Sequence, residues 1–194
     1  MDEPKPQTLE YAPPPPRKRW TRWLGITLAT LGGVFIWIVI SASWPSSNHS
    51  RAAAHVAKCQ SNLGQIGLAI TLYCNDFNGS YPDSFESLFV NGQLSPFVFV
   101  CPASNDEPST APTTQAQADD MSKPGHVSYF YLGKGLTDKT VLSNQIIAFE
   151  PLANHGDGID VLLGDGTSRF VDAKRAAKII SDANAGIRPV LVPP

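Results

Sequence analysis

The chain has 194 residues, enough for one ordinary domain with appendages. Its 15 basic and 17 acidic side chains leave a formal net charge of -2 and a pI near 6.0, so the basic footprint of a nucleic-acid partner is missing. Charge is instead placed locally, and that placement organises the rest of the reading.

Residues 1–22 read as a disordered, basic, Pro-rich tail, with Pro13 to Pro16 favouring extended backbone and Arg17, Lys18, Arg19 and Arg22 at its end. The uncharged run that follows, "WLGITLATLGGVFIWIVISASW" over 23–44, has 22 residues. That length crosses a hydrocarbon core of about 30 Å, and tryptophans at both edges suit the interfaces. A buried core helix would not need the length or the charged flank. A cleaved signal peptide would be shorter and nearer the start. A transmembrane helix with the N-terminus in the cytoplasm and residues 45–194 outside is therefore expected, with the lipid bilayer as the first partner.

Beyond Pro45, Val56, Cys59, Leu63, Ile66, Ile70, Tyr73 and Phe77 recur at intervals of three and four, one packing stripe on a long helix. Asn78-Gly79 should end it with left-handed backbone. "YPDSFESLFVNGQL" predicts a turn and a short helix capped by Asp83 or Ser84, and "FVFVC" a short strand. Residues 103–126 are rich in Ser, Thr, Pro, Gln and Asp and predict a flexible surface insert. "VSYFYL", "QIIAFE", "IDVLL" and "TSRFV" are strand candidates. Asp172 caps a last helix closed by Gly186, so that 173–194 reads as a C-terminal helix and tail. One long amphipathic helix on a small antiparallel sheet is an α+β arrangement.

These residues resemble a known family. Pro45, Arg51, Cys59, Asn62-Leu63, Gln65-Ile66 and Tyr73, then "NDFNGSYPDSFESL", "FVCP" and "SYFYLGKGL", are similar to type IV pilin-like proteins, in particular the pseudopilin relatives of planctomycete-type bacteria. Those relatives carry a C-terminal element of His, nine residues and Asp-Gly, met here by His155, Asp165 and Gly166. The resemblance covers about residues 45–172. It implies a pilin-like exported domain anchored in the inner membrane, partnered by pilin-like or secretion-apparatus proteins of a type II secretion or type IV pilus-like system. It also marks Gly25 as a leader-cleavage glycine. Yet Ile26 stands where those prepilins carry an aromatic residue, and Thr30 where they carry the glutamate linked to filament assembly. An uncleaved anchored relative outside the filament is the expectation.

Cys59 and Cys74 lie fifteen residues apart on one helix, about 22 Å, so they cannot be bonded to each other. Packing of "FVFVC" on the stripe selects a Cys59–Cys101 disulfide, the alternative being three buried reduced thiols.

In "NHGDGIDVLLGDGTSRFVD", Asp165-Gly166 predicts a two-residue hairpin turn. That register would set Val161 against Phe170 and Asp172 against Ile159, with Ile159, Val161, Leu163 and Phe170 on the core face. His155 and Asp165 fall at opposite ends of a strand, too far apart for a base and its orienting carboxylate. His155 is expected to bond a loop carbonyl. No catalytic residue is assigned and a non-enzymatic role follows. The competing class is a membrane-tethered calcium- or ligand-binding module, in which Asp157, Asp160 and Asp172 gather at the open end of the hairpin to hold calcium. No other cofactor is implied.

Overall fold

The computed structural model describes residues 20–43, 46–92 and 94–193, with the side chains of the first helix continuous only over 25–41. Most of the expected tail lies outside these residues. Two compact units divide at Ser47/Asn48.

The first unit holds helix α1, Trp20–Ser43. Leu28, Phe35, Trp37 and Ile38 are all more than half exposed and lie on different sides of it. Among the described residues no helix is long and apolar enough to cross a membrane; the continuous 25–41 stretch of α1 amounts to about 25 Å of helix. Gly25 lies inside α1 with nothing near its α-carbon side, and the Thr30 hydroxyl donates to the Thr27 carbonyl one turn back at 3.0 Å.

The second unit is an α+β domain. Its long helix α2 runs Ser46–Asp76. Cys59, Leu63, Ile66 and Ile70 of the stripe are buried, Val56 and Tyr73 are half-buried, and Phe77 is exposed beyond the helix end. Asn78 and Gly79 take φ of 54° and 82°, which lets the chain reverse there. Helix α3, Phe85–Gly92, begins where the Ser84 hydroxyl accepts the Ser87 N–H.

Two stretches differ from their sequence reading. "FVFVC" is no strand: Pro96–Phe99 form a 3₁₀ turn, since Pro96 fixes a helical φ at its start. The polar 103–126 stretch is folded rather than a flexible insert. It carries helix α4, Thr114–Met121, capped by Thr113, and buries Ser109, Ala118 and Met121. Ala118 and Met121, three residues apart on α4, are the apolar side chains it buries, which composition alone does not reveal.

The sheet has four antiparallel strands in chain order: β1 Phe130–Tyr131, β2 Ile146–Phe149, β3 Gly158–Leu163 and β4 Ser168–Asp172. It is covered on both sides. Ile147, Ala148 and Leu162 pack with α2, α3 and α4. Ile146, Phe149, Ile159, Val161, Leu163 and Val171 pack with Ala176 and Ile179 of helix α5, Ala173–Asn184, and with Val190 of the tail. The Ile146 N–H donates to the Val190 carbonyl at 2.8 Å, so the C-terminal helix and tail belong to the core and are not an appendage.

The β3–β4 hairpin is one residue off the expected register. Ile159 pairs with Val171 and Asp160 with Phe170. The loop has three residues, Gly164 to Gly166: the Leu163 N–H donates to the Thr167 carbonyl, the Gly166 N–H donates to Leu163, and only Gly166 has positive φ, 80°. Asp165 does not adopt left-handed backbone; its carboxylate accepts the Thr167 N–H and hydroxyl at 2.9 and 2.6 Å, closing the turn from its side chain. The Thr167 hydroxyl holds the Asp165 carboxyl below the usual range. The slip moves Phe170 to the opposite face from Ile159 and Val161.

Candidate functional site

One strand pair puts chemistry on the α2 side of the sheet. Phe149 pairs with Val161, and one residue on, the Glu150 N–H donates to the Asp160 carbonyl at 3.3 Å. Residues opposite each other in an antiparallel pair point the same way, so Glu150 and Asp160 both turn towards α2 while Phe149 and Val161 turn towards α5. The loop from Pro151 to Asp157 then folds back, with the Gly156 N–H on the Leu152 carbonyl at 2.9 Å and Gly156 at φ 77°. That fold returns the His155 ring over Glu150.

The result is a buried cluster of Cys59, Cys101, Glu150 and His155, whose ligand-type atoms all lie within 4.8 Å of one another. His155 Nε2 is 3.2 Å from Glu150 Oε1 and 3.6 Å from Cys101 Sγ. The Glu150 side chain is 0% exposed and that of His155 3%. Glu150 is further held by the Asp160 N–H on Oε1 at 2.8 Å and Asn154 Nδ2 on Oε2 at 3.2 Å. On the sulfur side, the Cys101 N–H donates to Ser128 Oγ at 3.0 Å, and Asn62 Nδ2 donates to the Val100 carbonyl at 3.0 Å, fixing the segment that carries Cys101 against α2.

The electrostatics are those of a site crowded with acidic groups. Its hydrogen bond with the Cys101 thiol, burial and the Glu150 charge all push the Cys59 thiol up. Burial pushes the Asp160 carboxyl up to about 7, with Glu150 adding to the shift and Gln60 opposing it. Neither Asp160 oxygen has a hydrogen-bond partner, and the buried Tyr129 hydroxyl, beside Cys59 and Asn62, has none either. A groove of about 460 Å³, lined by Ala53, Val56, Gln60, Asp157, Phe170 and His155, reaches the cluster from the surface.

The sequence-expected residues divide sharply here. Cys59 and Cys101 do come together, as reasoned from the stripe, but as free thiols rather than a disulfide; Cys74 is buried elsewhere on α2 and also free. His155 meets Glu150 and Cys101, not a loop carbonyl. Asp165 and Gly166 stay at the far end of β3, where Gly166 lies on α2: a Cβ at Gly67 would come 2.9 Å from the Gly166 carbonyl oxygen and 2.8 Å from Leu162 Cδ1. The His-to-Asp-Gly element thus touches the long helix at two points, eight residues apart, and sets no catalytic pair.

The calcium set is not assembled. Asp172 pairs with Gly158 and spends its carboxylate capping α5, accepting the Lys174 and Arg175 N–H groups at 3.1 and 3.2 Å. Asp160 is buried towards α2 and Asp157 is exposed. Among the described residues these three carboxylates form no common ligand group. Glu150 was missed by the sequence reading; its signal was a carboxylate closing an otherwise apolar strand, "QIIAFE", just ahead of a His-Gly loop.

No family model, curated protein or solved structure matches the chain. The second unit is thus an α+β domain with a buried Cys₂HisGlu cluster between its long helix and its sheet.

Proposed function

We propose that the protein is a membrane-anchored, pilin-like structural component of a type II secretion or type IV pilus-like apparatus, acting by assembly or contact and not by catalysis. The observation that carries this reading is the build of the second unit: a 31-residue helix laid along a four-stranded antiparallel sheet and continuous in sequence with an apolar helix. Further support comes from α1. A helix that is apolar on all sides and exposed has no water-facing side, which is the pattern of a lipid-facing anchor. The basic residues before Trp23 orient the anchor with its N-terminus in the cytoplasm. The uninterrupted helix at Gly25 and the Thr30 hydroxyl in place of a carboxylate fit an anchor that stays uncleaved and outside the filament.

The test is fractionation of cells producing the full chain, followed by protease treatment of inner-membrane vesicles of known orientation. Residues 45–194 should remain with alkali-washed membranes and be digested only from the extracytoplasmic face. Release by the alkaline wash, or digestion from the cytoplasmic face alone, would contradict the reading. N-terminal sequencing then separates an intact chain from one beginning at Ile26.

A further inference from the structure

We propose that Cys59, Cys101, His155 and Glu150 together hold one borderline-soft divalent metal ion, zinc(II) by donor type, in a closed four-coordinate structural site. Three independent features converge on it.

The first is geometry. Zinc binds thiolate at about 2.3 Å and imidazole or carboxylate at about 2.0–2.2 Å, almost always tetrahedrally. Those lengths require neighbouring donors about 3.6 Å apart for sulfur and nitrogen, and about 3.4 Å apart for nitrogen and oxygen. Cys101 Sγ to His155 Nε2 is 3.6 Å and His155 Nε2 to Glu150 Oε1 is 3.2 Å. Cys59 Sγ completes the group with every separation inside 4.8 Å. An ordinary His–Glu ion pair needs neither thiol, and two packed thiols need neither charge.

The second is the surrounding shell. Metal-bound groups are usually oriented by a further ring of hydrogen bonds. Glu150 has its ring already, from the Asp160 N–H and the Asn154 amide. The Tyr129 hydroxyl stands unpartnered beside Cys59, where a metal-bound thiolate would accept its hydrogen.

The third is connectivity. The four residues come from α2, from the segment after the 3₁₀ turn, from the end of β2 and from the loop before β3. One ion would bind together parts of the chain up to 96 residues apart, 155 minus 59. All four donors are protein side chains and all are buried, so the position left open in a catalytic zinc site is missing. On binding, the two thiols each lose a proton to solvent and no electrons move. The groove ending at His155 is the way in for the ion.

The same sulfurs could instead be joined by loss of two electrons and two protons to a thiol oxidant of the export compartment, and the experiment separates the two. The full chain is purified from membranes in detergent without chelator, and metal content is measured alongside denaturing alkylation and peptide mapping. One zinc per chain with Cys59, Cys74 and Cys101 all alkylatable is expected. A linked Cys59–Cys101 peptide, or less than about a tenth of an equivalent of zinc, overturns the proposal. Cobalt(II) added to chelator-stripped protein supplies the second readout: a thiolate-to-cobalt charge-transfer absorption in the wild type, kept in Cys74→Ser and lost in Cys59→Ser. Its absence in the wild type overturns the proposal whether or not the Cys59→Ser chain folds.

Discussion

The two faces of the sheet are built on opposite terms. On the α5 side, Ile146, Phe149, Ile159, Val161, Leu163, Val171, Ala176, Ile179 and Val190 pack as one apolar cluster. On the α2 side the same strands present Leu162 and Ile147, but also Asp160, and beside it Glu150, His155, Cys59 and Cys101. Alternate residues of β3 thus serve two purposes: Ile159, Val161 and Leu163 fill space, while Asp160 backs a polar centre. An apolar face is held by area and tolerates repacking. A buried polar face is costly unless every group is partnered, so it is held by geometry. The helix fastened by that second face is α2, the longest of the described helices.

The contrast can be broken by mutation. The largest effect is expected from His155→Ala, which leaves the Glu150 carboxylate buried beside two thiols without its imidazole or metal-borne partner. Breaking a buried pair costs about 3–5 kcal/mol, read as a shift of the denaturant midpoint at unchanged slope. A loss under about 1 kcal/mol would mean that the α2 face is held by its apolar residues alone. Ile179→Ala probes the other face. It should cost about 2–4 kcal/mol through lost burial and the cavity left behind, and the loss should be the same with or without reductant or chelator.

Gly67→Ala tests the second contact of α2, where the helix meets the hairpin turn. The added methyl meets Leu162 Cδ1 and the Gly166 carbonyl oxygen at under 3.0 Å, so helix and turn must separate. A cost of about 1–3 kcal/mol is expected, with the polar cluster left in place. An unchanged midpoint would show that the turn does not bear on the helix. Asp172→Ala should be smallest, about 1 kcal/mol, the value of a helix N-cap, with faster hydrogen exchange confined to the first turn of α5. A calcium-dependent rise of the wild-type midpoint that this variant loses would restore the acidic-site reading, which the capping role of Asp172 argues against.

Much of this fold is legible in the sequence, because it is written in local patterns. The α2 stripe, the Asn78-Gly79 stop, the Asp172 cap and the four strand candidates are each set by neighbours a few residues away. What escaped depends on register and on distance along the chain. Gly164 before Asp165-Gly166 widened the hairpin loop from two residues to three, and that single step exchanged the faces of Phe170 and its strand. Cys59 and Cys101 were brought together by the packing stripe. Their meeting with Glu150 and His155 joins segments 49 to 96 residues apart, from 101 to 150 and from 59 to 155, and no periodicity encodes that. The fold of 103–126 escaped for a related reason: Ala118 and Met121 are too few to show a period.

The difference between the faces is tested most directly by equilibrium unfolding of the full chain in detergent, with and without a zinc chelator, for wild type, Ile179→Ala and His155→Ala. Chelation should lower the midpoint of the wild type and of Ile179→Ala by the same amount, since distant sites add. It should leave His155→Ala unmoved. A wild type indifferent to the chelator, or a His155→Ala variant that responds as the wild type does, would contradict the view that a metal-centred polar site fastens α2 to the sheet.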